Sequence, residues 1–381
     1  MISPTRLAAV LLCAAAAVCT EGRAQTPPVA VPPLLLPVQS QWSMSATAES
    51  SYGYKDNLLL SGTGEERSAF ARGSLSFLLL RATTGSFDST FFGQIDGSRY
   101  FSGTTIDHDT KAWTQTEFGY RFGDTLKVSL PLTGYYSDQV FDVSDTEVER
   151  LVARLKVRGG MAGPLVHWTI HPAWWLEAQA VGEAKRYADG SNDGRVGEGA
   201  LRLGWKRGER VELRLAALQR WRGFDRRSCY TAAGRELTGT RLKIAEREYQ
   251  VRADVTWDAA GAWRTMTRAG VLDYRDNGSG YFNFREHRLS QELEWKGAVW
   301  SARVAGTAKR MDFHVQTVGF GLAPPPRIKD EYQTEVHLER KLGRNWTAIA
   351  EYTWERTRSN DTIASYLANE GLLGLRWSWE K

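Results

Sequence analysis

Glu209-Arg210-Val211-Glu212-Leu213-Arg214-Leu215-Ala216-Ala217-Leu218-Gln219-Arg220-Trp221-Arg222-Gly223 decides the architecture. In an extended chain successive side chains point to opposite faces, so the stretch sorts into two rows. Val211, Leu213, Leu215, Ala217 and Trp221 form an apolar row, and Arg210, Glu212, Arg214, Arg220 and Arg222 an ionic one. A helical period would mix the rows, so the pattern predicts a strand. The strand is also long, because ordinary soluble strands run to roughly 5–6 residues.

The pattern recurs. Tyr332, Thr334, Val336 and Leu338 oppose Glu331, Gln333, Glu335, His337 and Glu339. Leu126, Val128, Leu130 and Leu132 oppose Lys127, Ser129 and Thr133, while Leu289, Leu293 and Trp295 oppose Glu286, Arg288, Glu292 and Glu294. Trp346, Ala348, Ala350, Tyr352 and Trp354 repeat it near the end. One row is too ionic for a sandwich core. It needs water on one side and grease on the other.

Composition narrows the classes. The 381 residues have a mean hydropathy of −0.41, and no later stretch approaches the roughly 20 apolar residues of a spanning helix. Fifteen Trp, 14 Tyr and 14 Phe exclude a disordered chain. A net charge of +5 gives no reason to expect nucleic acid as a partner. Arg6 followed by the apolar run Leu7 to Val18 and the Gly22-Arg23-Ala24 site predicts a signal peptide over 1–24. Pro27, Pro28, Pro32, Pro33 and Pro37 predict an extended linker over 25–40. Beyond the signal only Cys229 remains, so no disulfide framework is available.

Connections alternate in length. Gly123-Asp124, Arg207-Gly208 and Lys296-Gly297 are short; the segments near 55–67, 224–239 and 315–327 are long. Aromatics mark strand ends, and Trp42, Trp174, Trp205, Trp257, Trp263, Trp295, Trp346 and Trp377 are expected to form an interfacial girdle. Residues 41–381 then divide into an all-β, antiparallel, up-and-down transmembrane barrel of about 16 strands. Residues 147–170 are read as one strand interrupted by Gly159, Gly160 and Gly163. Hydrocarbon offers no hydrogen-bond partner, so the last strand, with Leu373, Leu375, Trp377 and Trp379 on one face, must pair with the first.

The first strand and its exit, Tyr52-Gly53-Tyr54-Lys55-Asp56-Asn57-Leu58-Leu59, with the export signal and the Pro-rich lead, resemble porin-like outer-membrane β-barrels of Gram-negative bacteria. That resemblance implies an outer-membrane barrel without naming its cargo, and transfers no catalytic residue. Asp56-Asn57 itself reads as a turn.

Ionic rows are the candidate site. Arg150, Arg154, Lys156 and Arg158 share one row; Arg210, Arg214, Arg220 and Arg222 share another, with Arg202 and Arg252 beside it. Either these line a lumen that favours anions, or they pair with Glu198, Glu212, Glu246, Glu248 and Asp254 as structural ladders. The ladder is the plainer reading. The acidic run Asp138, Asp142, Asp145, Glu147 and Glu149 reads as a solvated loop or as a divalent-cation site that bridges lipopolysaccharide phosphates, the loop being the plainer reading. Asp189 to Gly194 looks like the first half of a calcium loop, but with Ala200 at its twelfth position it reads as a turn. The loop 224–239 folds into the lumen or waves outward. Neither a metal nor a cofactor is expected, and no G-x-S-x-G, H-E-x-x-H or P-loop pattern occurs.

The expected function is passive passage of small hydrophilic solutes. The alternatives are a scaffold or exit port for surface polysaccharide or protein export, and an outer-membrane hydrolase. Expected partners are outer-membrane lipid and lipopolysaccharide, the solutes and the barrel-assembly machinery. An apolar outer face also leaves a homo-oligomer open.

Overall fold

The computed structural model describes residues 42–62, 65–81, 85–102, 105–142, 152–257, 261–319 and 321–381. The expected signal peptide and linker, and Arg150, Asp145, Glu147 and Glu149, lie outside these residues.

The strands are β1 (Trp42–Lys55), β2 (Ser68–Arg81), β3 (Phe87–Tyr100), β4 (His108–Phe122), β5 (Leu126–Asp142), β6 (Val152–Ala162), β7 (Leu165–His171), β8 (Trp174–Tyr187) and β9 (Gly194–Arg207). They continue as β10 (Val211–Tyr230), β11 (Glu236–Thr256), β12 (Trp263–Asp276), β13 (Phe284–Lys296), β14 (Trp300–Thr317), β15 (Pro326–Lys341), β16 (Trp346–Ser359) and β17 (Tyr366–Glu380). Every pairing is antiparallel. The sheet closes on itself into a 16-strand barrel, because β6 and β7 are two halves of one strand.

Those halves keep one register across the break. Leu132 opposes Ala162 and Ser129 opposes Leu165, so no residue is gained or lost between them. The interruption has a local cause: Pro164 has no N–H to donate. Gly163 sits so close to β8 that a Cβ would fall 1.8 Å from the Ala180 carbonyl oxygen.

Closure is made by β1 and β17, in register from Ser45 opposite Glu380 to Lys55 opposite Glu370. The ladder continues beyond the strand, where Met44 and Lys381 exchange both backbone hydrogen bonds at 2.9 Å. Among the described strands no sheet edge is left, as a sheet surrounded by hydrocarbon requires.

The two rows of each strand take opposite sides of this wall. Leu213 and Leu215 on β10 share the outer side with Leu201 on β9 and Val251 on β11. Leu215 is 54% exposed and Leu373 on β17 is 69% exposed. A water-soluble protein would bury so continuous an apolar surface. Outward polar side chains inside this belt satisfy one another: Arg247 donates to Gln219 at 3.1 Å, and Thr267 bonds Gln291 at 2.6 Å.

The short turns gather at one end and the long loops at the other. Trp42, Trp174, Trp205, Trp263, Trp295, Trp346 and Trp377 all sit at the short-turn end on the outer side, with Trp257 just past β11. Trp174 and Trp205 pack with ring centroids 6.5 Å apart, Trp263 and Trp295 at 6.1 Å, and Trp346 opposes Trp377 in register.

The segment 224–239 departs from both expectations for it. It is neither an inward nor an outward loop: β10 runs to Tyr230 and β11 starts at Glu236, so most of it extends the β-hairpin.

Candidate functional site: the inner wall

The enclosed face is ionic. On β8 to β12, Arg202 contacts Glu177 at 2.6 Å and Arg214 contacts Glu212 at 2.8 Å. Arg220 bridges Glu198 at 2.6 Å and Glu246 at 2.8 Å. Arg222 lies 3.7 Å from Glu246, and Arg252 bonds Asp254 at 2.8 Å. Arg210 stands in the exposed turn just ahead of β10, outside the ladder. Such half-exposed pairs contribute about 0–1 kcal/mol each. Their larger effect is to fix where each guanidinium points.

Cross-strand register brings three arginines together that no single strand reveals. Arg214 opposes Arg252, which in turn opposes Arg268 on β12. Like charges directly opposite each other repel. Glu212 and Asp254, one rung nearer the short turns, relieve the first two. Among the described residues Arg268 has no carboxylate partner. Arg214 is further fixed by lying over the Trp175 ring at 5.6 Å. Trp175 in turn occupies the space that Gly204 leaves, where a Cβ would fall 2.0 Å from the indole. Sequence reasoning missed Arg268 and Trp175, because the rung becomes visible only in register.

The far wall is richer in carboxylates. Arg376 on β17 spans Glu49 at 3.1 Å and Glu339 at 2.5 Å. His337 is bracketed by Glu351 at 2.7 Å and Glu339 at 2.8 Å. Arg72 and Lys55 share Glu370.

Two loops fold over the inner wall at the long-loop end. After β12, the Asp276 carboxylate accepts hydrogen bonds from the N–H groups of Gly278, Gly280 and Phe282. This turns Tyr281 and Phe282 onto Phe224, Leu242, Phe284 and Phe313, and Phe282 is 1% exposed. After β1, Asn57 donates to the carbonyls of Ser61 and Leu367, both at 2.9 Å, while Asp56 accepts from Asn369. Leu58 thereby packs on Phe70 and Leu372. Asp56-Asn57 is thus more than a turn: it pins a loop across the closing seam.

One row is misplaced by sequence reasoning. Arg154, Lys156 and Arg158 do not line the lumen. Arg158 opposes Tyr136 and Arg186, on the outer side with Leu132 and Gly182, whereas Gly159 faces inward against Tyr135. The physical reason is height. Arg158 lies about 12 residues above Ile170, or roughly 30 Å along the axis at the usual tilt, where head groups replace acyl chains. On that outer rim Asp138 is gripped by Arg154 at 2.7 Å and Lys156 at 3.2 Å. Asp189 to Gly194 forms the expected turn, Ser191 N–H donating to Asp189. The Tyr187 N–H and Arg186 hold the Asp193 carboxyl below the usual carboxylate range.

Solved structures share this architecture. OccAB4 of Acinetobacter baumannii aligns at a TM-score of 0.50 and 8% identity, over 90% of this chain and 99% of its own. The outer-membrane β-barrel is this chain's fold. OccK8 (OprE) of Pseudomonas aeruginosa aligns at 0.50 and 9%, over 89% and 98%. An anion-selective porin from Comamonas acidovorans aligns at 0.49 and 8%, over 89% and 99%. No protein-family profile and no curated protein matches the sequence. At such identities the barrel shares its fold with the two Occ structures, and no residue role follows from any of the three.

Proposed function

We propose that the barrel sits in the outer membrane and conducts small hydrophilic solutes by passive diffusion, with a bias toward anions. One observation carries this reading: around the closed sheet, ionic rows face the enclosed space while apolar rows face out. Charged groups held on an inner wall keep that space hydrated, since burying them dry would be costly. A 16-strand barrel is wide enough for an aqueous channel. Arg268 supplies the bias as a guanidinium with no carboxylate partner among the described residues, and the folded loops after β1 and β12 set the size limit at the mouth. The tryptophans at the short-turn end anchor the barrel at the inner boundary of the bilayer.

Passive diffusion through a hydrated lumen needs no catalytic step. The packed loops favour one second reading, an exit port whose mouth opens only with a partner. Swelling of liposomes separates the two. Vesicles carrying the barrel should swell in an isotonic solution of a monosaccharide or an amino acid faster than empty ones. Swelling at the rate of empty vesicles would reject free diffusion and favour the gated port.

A further inference from the structure

The basic row on β6 belongs to an outward patch that the channel does not use. Arg158 lies directly opposite Arg186 on the outer side, and Arg195 on β9 stands diagonal to it, beside Ala184. Arg186 is paired with Asp193 at 3.2 Å and Asp225 at 3.0 Å. Arg158 and Arg195 are exposed and have no ion-pair partner among the described residues. Below them lies a groove of about 670 Å³, whose upper edge is Arg195 and whose lining includes Gly134, Gly160, Ala162 and Gly182. That volume falls in the range of ligand pockets, roughly 300–1,000 Å³. Crowding does not explain the glycine at 182, where a Cβ would meet nothing within 4 Å. The effect of glycine there is to leave the wall concave.

We infer that this face seats a phosphorylated lipid of the outer leaflet, with phosphate on Arg158 and Arg195 and an acyl chain in the groove beneath. The inference rests on the outer-membrane placement proposed above. Charge and height select the occupant. Guanidinium groups bind phosphate with two parallel hydrogen bonds. At the long-loop end of the outer surface the available anions are lipid head groups. A second copy of the chain in a two-fold arrangement would bring the same arginines against each other, which repels.

The test uses the full chain refolded in detergent and titrated with bisphosphorylated lipid A or its dephosphorylated form, with bound lipid read by native mass spectrometry. The wild type should prefer the bisphosphorylated form by at least tenfold. Arg158→Gln with Arg195→Gln should abolish that preference. Gly182→Leu, filling the groove, should weaken both forms, and the lumen variant Arg268→Gln should change neither. Equal binding of the two forms, or a double variant that still selects phosphate, overturns the inference. So does a dimer that Gly182→Leu dissociates, which would make the groove a seat for a second copy. Conductance of the same preparations keeps the two readings apart. A silent barrel that selects phosphate counts against the channel alone, and a conducting barrel indifferent to phosphate against the lipid seat alone.

Discussion

Arg268 lies directly opposite Arg252 across the β11–β12 ladder, yet only Arg252 has a carboxylate, Asp254 at 2.8 Å. The unpaired partner is therefore the group free to attract a passing anion. Arg268→Glu should move the reversal potential of the channel toward cations in a salt gradient, with little change in stability. Arg220→Gln, by contrast, strips Glu198 and Glu246 of a shared partner and should affect both selectivity and folding. An Arg268→Glu channel with unchanged reversal potential would return that residue to a purely structural role.

Leu215 tests which face meets lipid. It stands on the outer side of β10 between Leu213 and Ala217 and is 54% exposed. A charge there should cost about 2–4 kcal/mol if it lies near mid-bilayer. Leu218→Arg, on the inner side of the same strand, should cost far less. Chemical denaturation in lipid vesicles measures both. A larger loss for Leu218→Arg would mean the faces have been assigned backwards, and equal losses would contradict a lipid-facing and a water-facing side.

Gly163 and Gly182 make a matched pair of glycines. Gly163→Ala would drive a methyl into the Ala180 carbonyl, with no flexible side chain to give way. It should cost about 1–3 kcal/mol, the scale of overpacking. Gly182→Ala meets nothing and should be neutral or slightly stabilising, since alanine restricts the unfolded chain more than glycine does. A Gly163→Ala barrel as stable as Gly182→Ala would remove the steric account of the break between β6 and β7.

Asn57 holds the loop after β1 against β17. Asn57→Ala should release Leu58 from Phe70 and widen the mouth, raising single-channel conductance or its noise while the barrel stays folded. Unchanged conductance and noise would show that this loop does not border the conduction path.

Much of the fold was legible because a lipid-facing strand must alternate, and β10 does so cleanly over Val211 to Trp221. Closure followed from Leu373, Leu375 and Trp377 sharing a face. The lumen residues were harder. Charge alone points Arg154, Lys156 and Arg158 inward, yet they share parity with Val166, Trp168 and Ile170 across the Gly163-Pro164 break. Following parity through that break would have placed them outside. Above the apolar belt, charge no longer distinguishes inside from outside. The Arg214–Arg252–Arg268 rung depends on how three strands align, and the inward loops depend on side-chain anchors such as Asp276 and Asn57. Neither leaves a periodic trace in the sequence.

Single-channel recording in a planar bilayer tests the central claim most directly. Refolded barrel added to one side should produce discrete, stepwise increases in current, with a reversal potential in a potassium chloride gradient that favours chloride. A membrane that stays silent across voltage, while the protein is inserted and folded, would contradict a hydrated conducting lumen.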